Sequence, residues 1–172
     1  KKFLNEPILM LPFRDRIAGQ TNIDSDSANS TDPFTSILME VLPGGLGIIL
    51  GVGKGEFVQS ILTHWNGGLY LVDPYIHIWK GYDDPVHNVD DRTHQMIYEN
   101  LRTQLHQNFN NRAVFVRDFS YSLPVLWESK NMPNPSFIFI DNIPSAQAVV
   151  QDITSWWPLL SEGGIMAGFH HW

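Results

Sequence analysis

The sequence predicts an α/β fold, a Rossmann-like, doubly wound and mostly parallel sheet. Short apolar segments alternate along the chain with longer amphipathic segments, the pattern of strands that are joined by helices. Each short segment is apolar at nearly every position, which is typical of parallel strands buried on both faces. In such sheets ligands bind outside the carboxyl ends of the strands, so the functional residues should follow the strands directly.

Residues 1–43 are predicted to form an N-terminal segment of a chain that folds as a single domain overall. Within this segment, residues 19–33 are polar and turn-rich, which predicts a mobile loop. Residues 34–42 are amphipathic and predict a short helix, for which either Thr31 or Asp32 is the N-cap.

The Rossmann-like domain is predicted to cover residues 44–172. The longest helix carries an apolar residue every four positions from Ile97 to Phe109, and Pro158 ends the last helix. The predicted strands are GIILGV (47–52), LYLVD (69–73), AVFVRD (113–118), SFIFID (136–141) and GGIMAGF (163–169). The predicted helices are GEFVQSILTHW (55–65), the segment 91–109, YSLPVLWES (121–129) and SAQAVVQDITSWWPLL (145–160).

A long insert, residues 74–90, is too rich in Pro and Gly for a regular element. Two interpretations of it stay open: it caps the site and selects the substrate, or it is a surface loop whose aromatic residues pin it to the core. Its ring-bearing residues are His77, Trp79, Tyr82 and His87. Two further histidines on the following helix, His94 and His106, are predicted to lie on a solvated face.

Composition and charge exclude several classes of protein. The net charge of −7 disfavours a nucleic-acid backbone as partner, and no cluster of basic residues opposes that. Cysteine is absent, which fits a reducing compartment. No apolar run approaches the roughly 18 residues of a membrane span, and no signal peptide is recognisable. We therefore expect a soluble, cytoplasmic protein without nucleic-acid or membrane partners.

Three glycines, Gly51, Gly53 and Gly55, stand at alternate positions where the first strand meets the first helix. Glycine lets a turn tighten and lets a ligand lie against bare backbone. The spacing is not that of a P-loop, which needs Ser or Thr at position 55, nor that of the dinucleotide fingerprint, which needs Gly at position 56. Glu56 stands there instead, and its charge in the first helical turn favours a neutral or cationic ligand over a pyrophosphate.

The second predicted strand ends in Asp73. In a parallel sheet this end lies at the same edge as the glycine-rich turn. A carboxylate at this place can accept the hydroxyl protons of a ribose. A glycine turn with an acidic strand end thus indicates an adenosine-containing ligand without a pyrophosphate. S-adenosylmethionine suits this description.

Four segments carry a resemblance to a known family: GVGKGEF, LYLVDPY, FIFID and DITSWWPLLSEGGIMAG. Together they resemble class I S-adenosylmethionine-dependent methyltransferases, and most closely the family called methyltransferase family 24, over roughly residues 44–172. The last segment is the most specific part of the match. The resemblance implies S-adenosylmethionine as cofactor and S-adenosylhomocysteine as product.

The resemblance also implies a set of cofactor-binding residues. Asp73 would hold the ribose hydroxyls, and Pro74 and Tyr75 would flank the adenine. Asp118 and Ser120, after the third strand, fall where such enzymes contact the adenine edge. The remaining implied residues are Gly51, Gly53 and Gly55, on the methionine and ribose side, and Asp141, near the methyl donor.

The sequence departs from the family pattern at several points. Ile49 stands where an acidic residue usually precedes the first glycine, and the loop DNIPSAQ after the fourth strand lacks the usual His and aromatic residue. The fifth strand runs into GFHHW where a carboxylate is usual, and the chain stops before two further strands. Because it also begins at Lys1 rather than Met, we expect it to be a piece of a longer protein.

Asp141, His170 and His171 are the candidate catalytic residues, since methyl transfer often needs a base near the acceptor. A divalent metal is not favoured, because consecutive side chains on a strand point in opposite directions. We expect an S-adenosylmethionine-dependent methyltransferase that methylates an oxygen of a small molecule. The alternative is a catalytically silent methyltransferase-like domain that serves binding or assembly; a nucleotide-dependent oxidoreductase is the weakest hypothesis.

Overall fold

Five parallel strands form the centre of the fold in the computed structural model, which describes residues 32–42, 44–142 and 145–168. The strands are β1 (Leu46–Leu50), β2 (Gly68–Val72), β3 (Ala113–Val116), β4 (Phe137–Ile140) and β5 (Ile165–Gly168). Their order in the sheet is β3-β2-β1-β4-β5. All neighbouring strands pair in parallel, so the carboxyl ends of the strands meet at one edge.

The helices agree closely with the sequence pattern. They are α1 (Pro33–Val41), α2 (Glu56–His64), α3 (Asp91–Phe109), α4 (Leu123–Ser129) and α5 (Ala146–Trp156), with short 3-10 turns at Ser120–Ser122 and Trp157–Leu159. The N-cap of α1 is Asp32, whose carboxylate accepts from the Thr35 backbone N–H. None of the helices in the described ranges is long and apolar enough to cross a membrane.

Side chains of the strands alternate between two buried clusters, one on each face of the sheet. In β1, Ile49 belongs to the cluster formed with α1, α2 and α3, whereas Ile48 and Leu50 belong to the cluster formed with α4 and α5. Burial of such a side chain is worth about 1.5–3 kcal/mol, so both faces need apolar residues. The predicted doubly wound α/β fold is confirmed.

The predicted ends of several elements shift by a few residues. Strand β1 ends at Leu50 rather than at residue 52, because Gly51 turns into the left-handed region with a φ of 86°. Helix α5 ends at Trp156, and Pro158 lies in the 3-10 turn that follows it. The predicted helix 91–109 is confirmed residue for residue.

Helix α1 packs into the same core as the sheet through Phe34 and Leu38. The Phe34 ring contacts the Phe137 ring of β4 edge to face, with centroids 5.7 Å apart. The mobile loop predicted at 19–33 lies outside the described residues apart from its last two positions. The division of the chain at residue 43 stays a prediction.

The strand order places the topological switch point between β1 and β4. The chain moves from β1 out to β2 and β3 and then returns to β4 on the other side of β1. Ladder hydrogen bonds continue past the strand ends: Gly51 N–H donates to the Val72 carbonyl at 2.9 Å, and Asp141 N–H donates to the Leu50 carbonyl at 2.7 Å. The segments after β1, β2 and β4 are therefore neighbours, at the place where such sheets bind ligands.

Candidate functional site

The glycine turn after β1 uses its three glycines for different reasons. Gly51, Gly53 and Gly55 all have positive φ, at 86°, 53° and 78°. A Cβ added to Gly51 would stand 2.2 Å from the Asp141 carbonyl oxygen, and one added to Gly55 would stand 2.4 Å from Leu101 Cδ1. At Gly53, no heavy atom of the described residues lies within 4 Å of the added Cβ. Only Gly53 therefore offers bare backbone to a ligand.

The Asp73 carboxylate holds this turn in place from the end of β2. Its Oδ2 accepts from the backbone N–H groups of Val52 and Gly53, at 2.9 and 3.1 Å. Its Oδ1 accepts from the Tyr75 N–H at 2.8 Å. An ionised carboxylate offers about four lone-pair sites, so one remains for a ligand. The predicted contact of Asp73 with two ribose hydroxyls stays a prediction, and three of these sites already serve the protein itself.

Tyr75 holds the other side of the same peptide. Its hydroxyl donates to the Gly53 carbonyl at 3.0 Å, and its side chain is 2% exposed. Burial, together with the nearby Asp73 carboxylate, raises the pKa of Tyr75 well above its usual range. Because the ring lies in the core against Tyr98, it presents no open face to an adenine in this conformation. Its predicted place beside the adenine, with the half-buried Pro74, stays a prediction.

The loops after β3 and β4 meet at a buried carboxyl group that the sequence interpretation missed. Asp152 of α5 is 2% exposed, and it accepts from the Ser120 hydroxyl at 2.6 Å and from the Asn142 side-chain amide at 2.7 Å. Burial raises the pKa of Asp152, although both hydrogen bonds oppose this. A signal was present in the sequence: Asp152 stands four residues before Trp156, on the apolar stripe of the helix.

Of the four remaining predicted site residues, two are half-buried and two lie outside the described residues. Asp118 is half-buried and its Oδ1 accepts from the Phe119 N–H at 2.7 Å. Asp141 is half-buried at the end of β4, beside Gly51. His170 and His171 lie outside the described residues. Within the described ranges, no three His, Asp or Glu side chains are grouped so that they could hold a metal ion.

A network of polar hydrogen bonds centred on Asn88 braces the insert between β2 and α3. Asn88 accepts from the Ile78 N–H and donates to the carbonyls of Ile78 and Tyr82, each at 2.8 Å. Trp79 is 84% exposed and therefore does not pin the loop to the core. Its ring meets the His77 ring edge to face, with centroids 4.5 Å apart. The insert, which directly follows β2 along the chain, thus displays an exposed aromatic side chain.

His87, also in the insert, belongs to a local turn. Its Nδ1 is 2.7 Å from Asp84 Oδ2, and this hydrogen bond is the main cause of the lowered pKa of the half-buried Asp84 carboxyl. The contact supports the loop from within. It leaves the choice between a site cap and a surface loop open for the insert as a whole.

The prediction that His94 lies on a solvated face is wrong. Its Nε2 is buried and finds no hydrogen-bond partner in the part of the chain that the structure describes. Burial lowers the pKa of His94, while the carboxylates of Asp73 and Asp91 oppose that shift. The helical period could not reveal this, because burial of a ring atom depends on tertiary neighbours as well as on the helix face. The solvated face is confirmed for His106, which is exposed.

Comparison with known proteins supports the fold. No family model and no curated protein matches the chain. Among solved structures it is similar to a Clostridium thermocellum protein provisionally described as an rRNA-methylase, with a TM-score of 0.53 and 13% identity. The match covers 80% of this chain and 66% of the other, so this chain spans just under two thirds of its length. The similarity shows the fold, a Rossmann-like doubly wound α/β sheet.

Two predictions need correction in the light of these comparisons. The assignment to methyltransferase family 24 finds no support, since no family model matches. The prediction of a small-molecule acceptor without nucleic-acid partners is contradicted, because the similar structure is described as a methylase of rRNA. The net charge of −7 was a poor guide here: it sums over the whole chain and does not describe the surface that an acceptor would touch.

Alanine substitutions in the glycine turn should separate packing from ligand access. Gly53→Ala should lower the free energy of unfolding by about 1 kcal/mol, the cost of a left-handed residue. Gly51→Ala and Gly55→Ala should cost about 2–4 kcal/mol, because their Cβ atoms also collide with Asp141 and Leu101. Urea unfolding measures all three. Equal losses in the three variants would contradict the packing described here.

Stability should depend on pH through His94. Its folded-state pKa is lowered, so the unfolded chain binds the proton more readily as the pH falls below 6.5. The contribution of His94 is therefore complete above that pH and is lost as the pH falls towards the folded-state pKa. In urea unfolding over about pH 5.5–7.5, His94→Gln should flatten this slope. The control His106→Gln, on the exposed face of the same helix, should retain it; a slope unchanged in His94→Gln would refute the assignment.

Proposed function

We propose that the protein is an S-adenosylmethionine-dependent methyltransferase whose cofactor lies over the glycine turn, beside Asp73. The observation that carries the proposal is Gly53, which has positive φ and an exposed backbone with open space where a Cβ would stand. Such a bare peptide at the switch point of a parallel sheet lets a ligand approach more closely than any side chain would allow. The methyltransferase-like fold supports the same conclusion.

The charges around the turn favour this cofactor over a dinucleotide. Glu56 occupies the first turn of α2, where the N–H groups would otherwise attract a phosphate. Asp73 and Asp141 add two further carboxyl groups at the same edge. S-adenosylmethionine carries a sulfonium cation and no phosphate, so an acidic edge suits it better than it suits a pyrophosphate.

Different residues at the carboxyl edge of the sheet would bind different parts of the cofactor. Asp73 would accept one ribose hydroxyl at its remaining lone pair while it keeps the turn in place. Asp118 and Ser120 would face the adenine, and Asp141 would stand near the reacting groups as the candidate base. The cofactor supplies an activated methyl group, and the protein's task is to align the acceptor with it.

For the acceptor, we propose RNA, the substrate named in the description of the similar structure. Trp79 supports this proposal, because it is 84% exposed and lies in the insert that directly follows the end of β2. An exposed aromatic ring can stack on an unpaired base, and the exposed Lys80 beside it adds a positive charge. The insert would thus serve as a cap that selects the acceptor.

A methyltransferase-like domain without catalysis is the second candidate. Ile49 stands where the class I methyltransferases that the sequence resembles usually carry an acidic residue. In addition, three lone-pair sites of Asp73 accept hydrogen bonds from the protein's own backbone. Both observations favour weaker cofactor binding. Cofactor binding without methyl transfer to any acceptor would favour this candidate.

Titration calorimetry with S-adenosylmethionine, S-adenosylhomocysteine and NAD tests the cofactor. We expect micromolar affinity for the two adenosyl compounds and none for NAD. Gly53→Ala should weaken that affinity by about tenfold or more, since its new methyl group occupies ligand space. Gly163→Ala is the matched control: Gly163 also has positive φ and open surroundings, but lies before β5 at the opposite edge. No binding by the wild type, or equal binding by both variants, would contradict the proposal.

Transfer of a labelled methyl group from S-adenosylmethionine to purified rRNA tests the acceptor. Trp79→Ala should lower kcat/KM by about tenfold, because stacking on one base is worth about 1–3 kcal/mol. Val86→Ala is the control, since Val86 is an exposed apolar residue of the same insert. If the cofactor binds but RNA acquires no label, the RNA proposal fails and the cofactor proposal stands.

A further inference from the structure

Asp152 joins parts of the site that are far apart in the sheet. Ser120 follows β3 and Asn142 follows β4, and these two strands are separated by β2 and β1. Both side chains nevertheless donate to one carboxyl group, Ser120 to Oδ1 and Asn142 to Oδ2. The two loops are therefore tied together across the switch point by a single side chain of α5.

A second hydrogen bond from the same helix reinforces this tie. The Trp156 indole N–H donates to the Ser120 carbonyl at 3.1 Å, and Trp156 is fully buried. Asp152 and Trp156 are four residues apart, so they lie on one face of α5. Ser120 is thus held through both its hydroxyl and its carbonyl, which fixes the start of the loop after β3.

Burial of a carboxyl group requires a reason, because it costs free energy unless hydrogen bonds compensate for the lost water. Asp152 and Thr35 are the buried polar side chains of the described residues, and Thr35 bonds within the cap of α1. Asp152 bonds instead to two loops that follow strands. Burial raises the pKa of Asp152, and the two donors partly offset the cost.

We propose that Asp152 is a positioning residue of the cofactor site, which sets the distance between the loops after β3 and β4. Those loops carry Asp118, Ser120 and Asp141, three of the predicted cofactor-binding residues. The inference rests on the proposed function, since the distance matters for an adenosyl ligand that touches both loops. Asp152 itself acts through Ser120 and Asn142 and need not touch the ligand.

Variants that remove the hydrogen bonds of the tie test this role. Asp152→Leu removes both acceptor oxygens, and Asn142→Ala removes one of the two donors without changing a predicted cofactor-binding residue. Each should weaken S-adenosylhomocysteine binding in calorimetry by about tenfold, the equivalent of one hydrogen bond at a charged group. Asp152→Asn keeps an oxygen that can accept from Asn142 and an amide that can donate to the Ser120 hydroxyl oxygen, so it should retain most of the affinity.

Ser60→Ala is the matched control for a purely structural effect. The Ser60 hydroxyl also donates to a carboxylate, that of Asp32, but this bond joins α2 to the cap of α1 on the other face of the sheet. It should lower the thermal midpoint as Asn142→Ala does and leave the affinity unchanged.

The outcomes separate this inference from the proposed function. If the wild type binds S-adenosylhomocysteine and both variants bind it equally well, Asp152 is a structural tie and the inference is overturned alone. If the wild type binds neither adenosyl compound, the proposed function fails and this role fails with it. Tenfold weaker binding in the variants, with the control unchanged, supports both.

Discussion

The hydrogen bonds from the glycine turn to Asp73 are the constraint on which the site depends. The backbone N–H groups of a turn with three positive-φ glycines need hydrogen-bond partners that no regular helix or strand supplies in full. Asp73 satisfies two of them, at Val52 and Gly53, and the Tyr75 hydroxyl completes the clamp at the Gly53 carbonyl. Because β2 neighbours β1 in the sheet, the strand order alone brings this carboxylate to the turn.

This clamp gives Asp73 two tasks that compete for the same oxygens. A ribose with two free hydroxyls would donate one hydrogen bond to each carboxylate oxygen. However, Oδ2 already accepts hydrogen bonds from two backbone N–H groups. Oδ1, with one donor, is the oxygen that can take a ligand hydroxyl. A ligand that needs more must displace part of the turn's own hydrogen bonding. If the cofactor lies where we propose, this competition would limit how tightly its ribose is held.

The sequence pattern correctly predicted the helices and strands, because their formation depends mainly on residues close together in the chain. The helix Asp91–Phe109 follows from its apolar spacing, and Asp73 was placed at the edge by strand alternation. What failed depends on tertiary neighbours. The sequence pattern could not show that the Nε2 atom of His94 is buried, nor that the Tyr75 side chain turns into the core. Asp152 was missed because its partners lie 32 and 10 residues away along the chain.

Carboxyl groups hold the loops at this edge of the sheet in place, and their charge would limit how an acceptor can approach. Asp73 secures the loop after β1, and Asp152 secures the loops after β3 and β4. With Glu56 and Asp141 nearby, the edge repels phosphates and attracts a sulfonium cation. The RNA acceptor that we propose would therefore be bound through a base rather than through its backbone, because stacking on an exposed ring needs no positive field. Trp79, in a loop that Asn88 braces through hydrogen bonds, would offer such a ring.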